Sequence, residues 1–360
     1  MKNVCLIGNN AFGKPVFDGQ RIKVRTYKHC LEQEGFKVVF VELDNPLKRI
    51  FTILSDIKKA IKKCEIIVLI TSDNGERILI PFINKINKKY KRRFVFSQIG
   101  TSFLYKHIKS MSEERKNDFF YNHDFSGEKP SKKVKRNLTK IDAILTETDL
   151  INETFKKFFC LNNCYCLTNF RNVEIASDHK RSESNNKLIY LSRIMERKGI
   201  FDLINVIKKP VFSHLSLDIY GSFFMDVKEK SLFESLLDCR VRYLGELTPD
   251  KTVETIRKYD LLCFPTKCEG EGTPGCIVES LIAGVPVLSS SFTQSGELLK
   301  NGVDSLIYDF GSVDDLEQKL FVFANKEIDI KSFKENAFES GKRFTYVFNR
   351  KKFLSLIQGD

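Results

Sequence analysis

The sequence has no long hydrophobic run. Its purely apolar stretches, such as residues 66–70, have the length of a β-strand and fall well short of the roughly 20 residues that span a bilayer. The first residues lead directly into a strand-like segment, with no extended apolar region and no cleavage site, so we expect no signal peptide. The predicted location is therefore the cytoplasm.

Metal-binding patterns are also missing. Ten cysteines occur, and Cys160, Cys164 and Cys166 lie close together, but no second pair accompanies them at the spacing of a zinc site. The chain contains no convincing Asp-x-Asp motif either. Because secretory signals are lacking as well, we expect reduced thiols rather than disulfides, and no metal site.

The glycine pattern of dinucleotide-binding folds is absent. The first predicted strand is followed by Gly8, Gly13 and Gly19, which do not match Gly-x-Gly-x-x-Gly, and only Asp44 stands near the position of a ribose-binding acid. A nicotinamide enzyme is thereby disfavoured. Gly19 opens an amphipathic helix, where a missing side chain lets a phosphate or sugar approach the backbone closely. The alternative is that Gly19 is a plain turn glycine.

Positive charge is unevenly distributed. The net charge is +13, and residues 1–175 hold 33 Lys and Arg against 19 Asp and Glu, so the remainder is close to neutral. The excess is concentrated at residues 85–93, 106–116 and 129–140. Each run alone is typical of a solvated helix face. Together they favour an anionic membrane surface as partner. Nucleic acid is disfavoured, because no RNP-like, zinc-finger or helix-turn-helix signature accompanies the charge.

Short apolar runs alternate with helix-length amphipathic segments in both halves of the chain. Near-continuous apolar strands separated by helices predict parallel sheets covered on both faces. The pattern restarts after a polar stretch at residues 178–186, so we predict an α/β fold of two tandem Rossmann-like, doubly wound domains. A cleft between them is the predicted ligand site. The predicted strands are 4–8, 38–43, 66–71, 94–99, 143–148, 188–192, 217–221, 241–245, 261–265, 285–289 and 305–308.

Two basic residues follow the first strand of the second half. Arg193 leaves the strand end, and Lys198 precedes Gly199 at the start of the next helix. Two cations beside a positive helix N-terminus suit a diphosphate. Taken alone, two such residues are more often plain surface charges.

The segment from Glu271 to Glu279 holds two carboxylates around a helix start. Pro274 lies near the first turn and Gly284 is the predicted C-terminal cap. Free N–H groups over residues 275–278 would point at an anion, and carboxylates are good acceptors for sugar hydroxyls. The structural alternative is that Glu271 caps the helix while Glu279 faces solvent. The predicted donor-binding residues of this segment are Gly275, Cys276, Ile277, Val278 and Glu279.

These segments resemble the donor half of glycosyltransferase family 4, of the GT-B fold. Ser192–Gly199 is similar to its Gly-Arg-Leu-x-x-x-Lys-Gly stretch, with serine for the first glycine, and Glu271 and Glu279 match its Glu-x7-Glu motif. The residues after Glu279 follow the family's Glu-Ala-Met-Ala-x-Gly-x-Pro-Val-Ile. In the first half, residues 141–148 and 167–171 resemble more faintly its last strands in surface-polysaccharide enzymes.

The resemblance implies a retaining glycosyltransferase in bacterial surface-polysaccharide biosynthesis. Arg193 and Lys198 would neutralise the departing nucleoside diphosphate, so no metal or other cofactor is required; Glu271 would orient the sugar and Glu279 the ribose. The donor would be a nucleoside-diphosphate sugar, UDP favoured over GDP. The acceptor would be a lipid-linked saccharide at the inner face of the cell membrane. The implied domains are 1–175 for acceptor binding, 186–342 for the nucleotide sugar, and 343–360 as a helix packing back on the first domain.

Two departures from the family pattern leave alternatives open. Pro274 lacks an N–H in the loop where relatives have Gly-Phe-Gly-Leu-Pro, so one backbone contact must differ. The histidine that many relatives keep after the fourth strand is missing from residues 97–102, and His107 is interpreted as an ordinary helix residue. A catalytically silent sugar-nucleotide-binding subunit and a sugar-nucleotide epimerase of the same fold are therefore the competing functions.

Overall fold

The chain folds into two compact units. The computed structural model describes residues 2–9, 19–43, 46–173, 186–268 and 270–359, so Gly13, Asp44 and linker residues 178–185 lie outside the described parts. The first unit comprises Met1–Asn172 with Tyr346–Asp360, and the second comprises Val173–Thr345. These divisions lie next to the predicted domain limits at residues 175 and 342.

The first unit is built on a six-stranded parallel sheet. Its strand order is β2-β1-β3-β4-β5-β6. The central strands are apolar and fully covered, as in β3, where all five residues are buried. The strands are β1 (Asn3–Gly8), β2 (Lys37–Glu42), β3 (Ile66–Ile70), β4 (Arg93–Ser97), β5 (Ala143–Thr146) and β6 (Cys164–Cys166).

Helices cover both faces of this sheet. One apolar core lies between the sheet and α2, α3, α6 and α7, and a second lies on the opposite face, against α1. The helices are α1 (Gly19–Gln33), α2 (Pro46–Lys63), α3 (Asp73–Tyr90), α4 (Tyr105–Ile108), α5 (Glu113–Asn117), α6 (Lys132–Leu138) and α7 (Asp149–Phe159).

The second unit repeats the architecture. Its parallel sheet has the order β12-β11-β10-β7-β8-β9. The strands are β7 (Lys187–Leu191), β8 (Ser216–Tyr220), β9 (Val241–Tyr243), β10 (Leu261–Phe264), β11 (Val287–Ser290) and β12 (Ser305–Tyr308). The helices are α8 (Ile200–Ile207), α9 (Val227–Ser235), α10 (Pro249–Ile256), α11 (Gly275–Ala283), α12 (Ser295–Leu298), α13 (Val313–Ala324) and α14 (Ile330–Lys342).

The last helix, α15 (Tyr346–Gln358), belongs to the first unit. Arg350 donates two hydrogen bonds of 2.6 Å to the carboxylate of Glu34, and the Tyr346 hydroxyl donates a third of 2.9 Å. The Phe353 ring packs edge-on against Tyr27, with 5.0 Å between ring centroids. The prediction that the chain end returns to the first domain is therefore confirmed.

The predicted α/β architecture is confirmed, with one strand missed. All eleven predicted strands are present, with bounds that shift by at most two residues. The resemblance placed a last strand of the first domain at residues 167–171, whereas the observed strand is β6. Its three residues pair with β5, and the chain after Leu167 leaves the ladder. A three-residue strand with one exposed tyrosine carries too little apolar periodicity to be recognised.

Candidate functional site

Chain order reverses between β7 and β10 of the second unit. From β7 the chain builds β8 and β9 on one side, then crosses to build β10, β11 and β12 on the other. In open parallel sheets, ligands bind outside the carboxyl ends of the strands at such a switch point. The segments that leave β7 and β10 there carry the residues singled out from the sequence.

The turn after β7 presents one cation outward and buries another. Arg193 is exposed, with its guanidinium 5.4 Å from the ring centroid of Phe224. Lys198 ends a short 3-10 turn and is only 7% exposed. The buried hydroxyl of Tyr190 donates a 3.0 Å hydrogen bond to the Arg193 carbonyl oxygen, which fixes the turn to the strand.

The buried cation is neutralised by Glu271. The Lys198 ammonium donates to Glu271 Oε1, which also accepts a 2.8 Å hydrogen bond from the Thr266 hydroxyl. The ammonium also lies 5.5 Å from the ring centroid of Phe264. A buried lysine needs such a partner, because an isolated charge away from water is costly. An incoming anion can replace Glu271 as the partner of the Lys198 ammonium, and a sugar hydroxyl can replace Lys198 as the hydrogen-bond donor to Glu271.

Thr266 is a residue that the sequence reasoning missed. It is fully buried, its carbonyl oxygen accepts a 2.7 Å hydrogen bond from the Ser290 hydroxyl, and its own hydroxyl accepts from the Cys268 N–H at 3.1 Å. It thereby fixes the loop after β10 to β11 and orients Glu271. Its position directly after a buried strand was the available signal, since strand ends form the site edge.

Gly199 allows the two segments to approach. It adopts the left-handed region with φ +71°, and a Cβ there would lie 1.8 Å from the Pro265 carbonyl oxygen. Two further hydrogen bonds join the same segments, from Lys267 N–H and Cys268 Sγ to the Arg197 carbonyl oxygen.

Helix α11 starts beside this pair without a side-chain cap. Its N-cap is Pro274, which makes no side-chain hydrogen bond, and the first backbone bond of the helix is donated by Val278 to the Pro274 carbonyl oxygen. The preceding N–H groups of Gly275, Cys276 and Ile277 lie in the first turn, which carries partial positive charge and suits an anion. Gly284 ends the helix with φ +70°, as predicted.

The two carboxylates do not follow the structural alternative. Glu271 makes no cap hydrogen bond to α11, and Glu279 is only 5% exposed instead of facing solvent. Burial, followed by the charge of Glu279, raises the pKa of the Cys276 thiol to about 12. Cys276 is thus a neutral packing residue at pH 7, and its contribution to an anion site is its backbone N–H.

The first unit places Gly19 at the first position of α1, with open space around its Cα. One turn later, Lys23 is 2% exposed and donates to Glu147 Oε1 at 2.9 Å and to the Gln98 carbonyl oxygen at 2.8 Å. This buried pair ties α1 to the ends of β4 and β5, where the histidine of many relatives is missing.

His107 lies on helix α4, as interpreted, and hydrogen-bonds Glu128.

The described residues form neither a metal-binding cluster nor a helix suited to cross a membrane. Within residues 2–9, 19–43, 46–173, 186–268 and 270–359, no group of three or more His, Cys, Asp or Glu side chains is arranged to hold a metal ion. None of the helices in these ranges combines the length and the apolar character that a membrane crossing requires.

Comparison with known proteins gives a family match within the second unit. Residues 173–340 match the family described as Glycosyl transferases group 1. Among curated proteins, an uncharacterized glycosyltransferase of Methanocaldococcus jannaschii is 25% identical over 158 residues, 44% of each chain. An uncharacterized 41.2 kDa protein in the cps region of Klebsiella pneumoniae is 23% identical over 138 residues, 38% of this chain and 37% of that protein. The alignments thus span less than half of these relatives.

Solved structures match over the whole chain. The crystal structure of Anabaena HepE in complex with UDP-glucose superposes with a TM-score of 0.69 at 15% identity, covering 100% of both chains. At this identity the likeness shows the fold alone. The predicted architecture of two Rossmann-like domains is confirmed, and it is the GT-B fold; the family match agrees with the resemblance over residues 173–340.

Proposed function

We propose, from the match of residues 173–340 to the glycosyl transferases group 1, that the protein is a retaining glycosyltransferase. It transfers a sugar from a nucleoside-diphosphate sugar to a saccharide acceptor. The observation that carries the proposal is the buried Lys198–Glu271 pair beside the uncapped start of α11. The cation and the helix N-terminus then bind the diphosphate of the donor, and the carboxylate binds the sugar hydroxyls.

Binding of the donor breaks the Lys198–Glu271 ion pair and gives each residue a new partner. Lys198 turns from Glu271 to the diphosphate, and Glu271 accepts hydrogen bonds from sugar hydroxyls while Thr266 keeps it oriented. Arg193, exposed at the same strand end, adds a second cation. Glu279 binds the ribose diol, and uridine is favoured over guanosine. Gly19 in the first unit lets a phosphate or sugar approach the backbone closely.

Breaking the bond from the anomeric carbon to the diphosphate oxygen leaves the electron pair on the diphosphate. Lys198, Arg193 and the start of α11 stabilise that charge, the largest catalytic effect expected for departure of an anion. No metal ion is required in this proposal. The acceptor oxygen attacks the face that the diphosphate leaves, its proton passes to the departing oxygen, and the anomeric configuration is retained.

The acceptor is a saccharide, lipid-linked, that is met at the inner face of the cell membrane. Support comes from the positive charge of residues 1–175 and from the relative in the cps region of Klebsiella pneumoniae. The role that follows is in surface-polysaccharide biosynthesis, by a cytoplasmic protein held peripherally on the membrane.

A transfer assay with the purified chain tests the proposal. A panel of labelled UDP- and GDP-sugars is first ranked by thermal shift, since a ligand that binds the folded state raises apparent stability. The best donor is then incubated with lipid-linked saccharides, and we expect label in the acceptor, free nucleoside diphosphate in equal amount and a retained anomeric configuration by NMR. Binding without transfer to any acceptor would identify a silent subunit. Mass-neutral conversion of the donor would identify an epimerase.

A further inference from the structure

Three helices of the first unit form a continuous outer layer on one face of its sheet. Helix α3 packs against both α2 and α6. Their inward side chains, such as Ile57, Ile83 and Leu138, are fully buried in the core beneath. The opposite sides of these helices form a surface, which we call the α2–α3–α6 layer.

This layer carries most of the excess charge of the protein. The three helices contain fourteen Lys and Arg against three Asp and Glu. Of the three acids, Glu76 is fully buried and Asp56 lies 3.6 Å from Lys59. Basic residues such as Lys62, Lys88 and Lys133 are exposed. A surface with this imbalance attracts a dense array of negative charges.

Two large apolar side chains stand out of the same layer. Phe51 is 86% exposed and Ile78 is 53% exposed. Each is the sixth residue of its helix, and α2 and α3 run side by side in the same direction. The two side chains therefore lie at a similar height along the two helices, near the helix starts. The lysine clusters lie closer to the helix ends. Water disfavours such exposed side chains, at about 25 cal/mol per Å² of apolar surface.

Cations combined with exposed apolar side chains fit a lipid surface better than nucleic acid. Basic residues bind lipid phosphates, and aromatic or aliphatic residues enter the boundary between headgroups and acyl chains. A nucleic-acid surface would use the same cations but would gain little from Ile78. We propose that the α2–α3–α6 layer binds an anionic lipid surface, with Phe51 and Ile78 inserted among the headgroups. The role of this contact, which is to present a lipid-linked acceptor, rests on the proposed function; the binding itself does not.

Vesicle co-sedimentation of the full chain tests the charges. The layer variant is Lys62→Gln, Lys85→Gln, Lys88→Gln and Lys133→Gln combined. Its control carries the same four-charge loss on exposed lysines elsewhere, at Lys228, Lys251, Lys351 and Lys352. On vesicles of phosphatidylcholine with phosphatidylglycerol, we expect the layer variant to bind about a thousandfold more weakly, since each of the four cations contributes roughly 1 kcal/mol. The control should change less than about threefold.

A second pair of variants tests insertion. Phe51→Ser with Ile78→Ser should weaken vesicle binding about tenfold. Val347→Ser with Phe348→Ser removes two comparably exposed side chains, 80% and 68% exposed, from α15 on the other face of the sheet, and should leave binding unchanged. Equal losses in layer and control variants would overturn the proposal. So would wild-type protein that is retained on DNA but not on these vesicles.

The two proposals fail in distinguishable ways. Vesicle binding without any thermal shift by nucleotide sugars would leave the lipid surface standing and contradict the transferase. Donor binding and transfer to a soluble acceptor, with no vesicle binding, would support the transferase and contradict the lipid surface.

Discussion

Replacing Lys198 by alanine is expected to lower kcat for sugar transfer by about 10³-fold, the size of effect typical for removing one group that stabilises a developing anion. The lysine is 7% exposed and lies beside the uncapped start of α11, so water can replace it only poorly. The second unit should stay folded, because Glu271 keeps the hydrogen bond from Thr266 and is partly exposed. Steady-state kinetics and thermal unfolding of the same samples check both expectations.

Lys267→Ala is the matched control for that variant. Lys267 lies in the loop after β10, and its ammonium is 2.7 Å from Asp202 Oδ2. The variant removes a lysine from an ion pair in the loop that also carries Glu271. It leaves the Lys198–Glu271 pair intact. We expect its kcat to stay within about threefold of wild type, because a partly exposed ion pair contributes little. A Lys198→Ala enzyme with normal turnover would remove the diphosphate role from this site.

Gly199→Ala is expected to destabilise the second unit by about 4 kcal/mol or more. An L-residue in the left-handed region costs about 1–2 kcal/mol. The larger cost comes from the new methyl group, which would lie 1.8 Å from the Pro265 carbonyl oxygen and must push apart the segments that follow β7 and β10. Urea unfolding gives the free energy, and donor binding should be lost with it.

Gly302→Ala separates these two costs. Gly302 has φ +76°, and a Cβ there meets nothing within 4 Å. This variant should therefore lose only the conformational part, about 1–2 kcal/mol. Equal destabilisation by the two substitutions would mean that the close approach of Gly199 to Pro265 contributes nothing.

The sequence predicted the fold where apolar patterns are long. Strands such as β3, with five consecutive buried residues, carry a clear signal, whereas β6 has three residues and was missed. Helix ends with distinctive chemistry were also predictable, as Gly284 shows. The return of α15 to the first unit came from the family resemblance, since its contacts join residues more than 300 positions apart, such as Glu34 and Arg350.

The site was predictable as a set of residues but not as a network. The family pattern identified Lys198 and Glu271, yet their ion pair joins residues 73 positions apart and depends on how two loops pack. The buried position of Glu279 and the orienting role of Thr266 depend on the same packing. In the first unit, the buried Lys23–Glu147 pair was missed because single charges in amphipathic helices are usually exposed.

Calorimetric titration of UDP is the most direct test of the central claim, that the carboxyl ends of β7 and β10 hold the donor. We expect one UDP per wild-type chain. Lys198→Ala should lower the UDP affinity at least about tenfold through the loss of one charge-assisted contact, and Lys267→Ala should leave the affinity unchanged. No UDP binding to the folded wild-type chain, or equal affinity in wild type and Lys198→Ala, would contradict it.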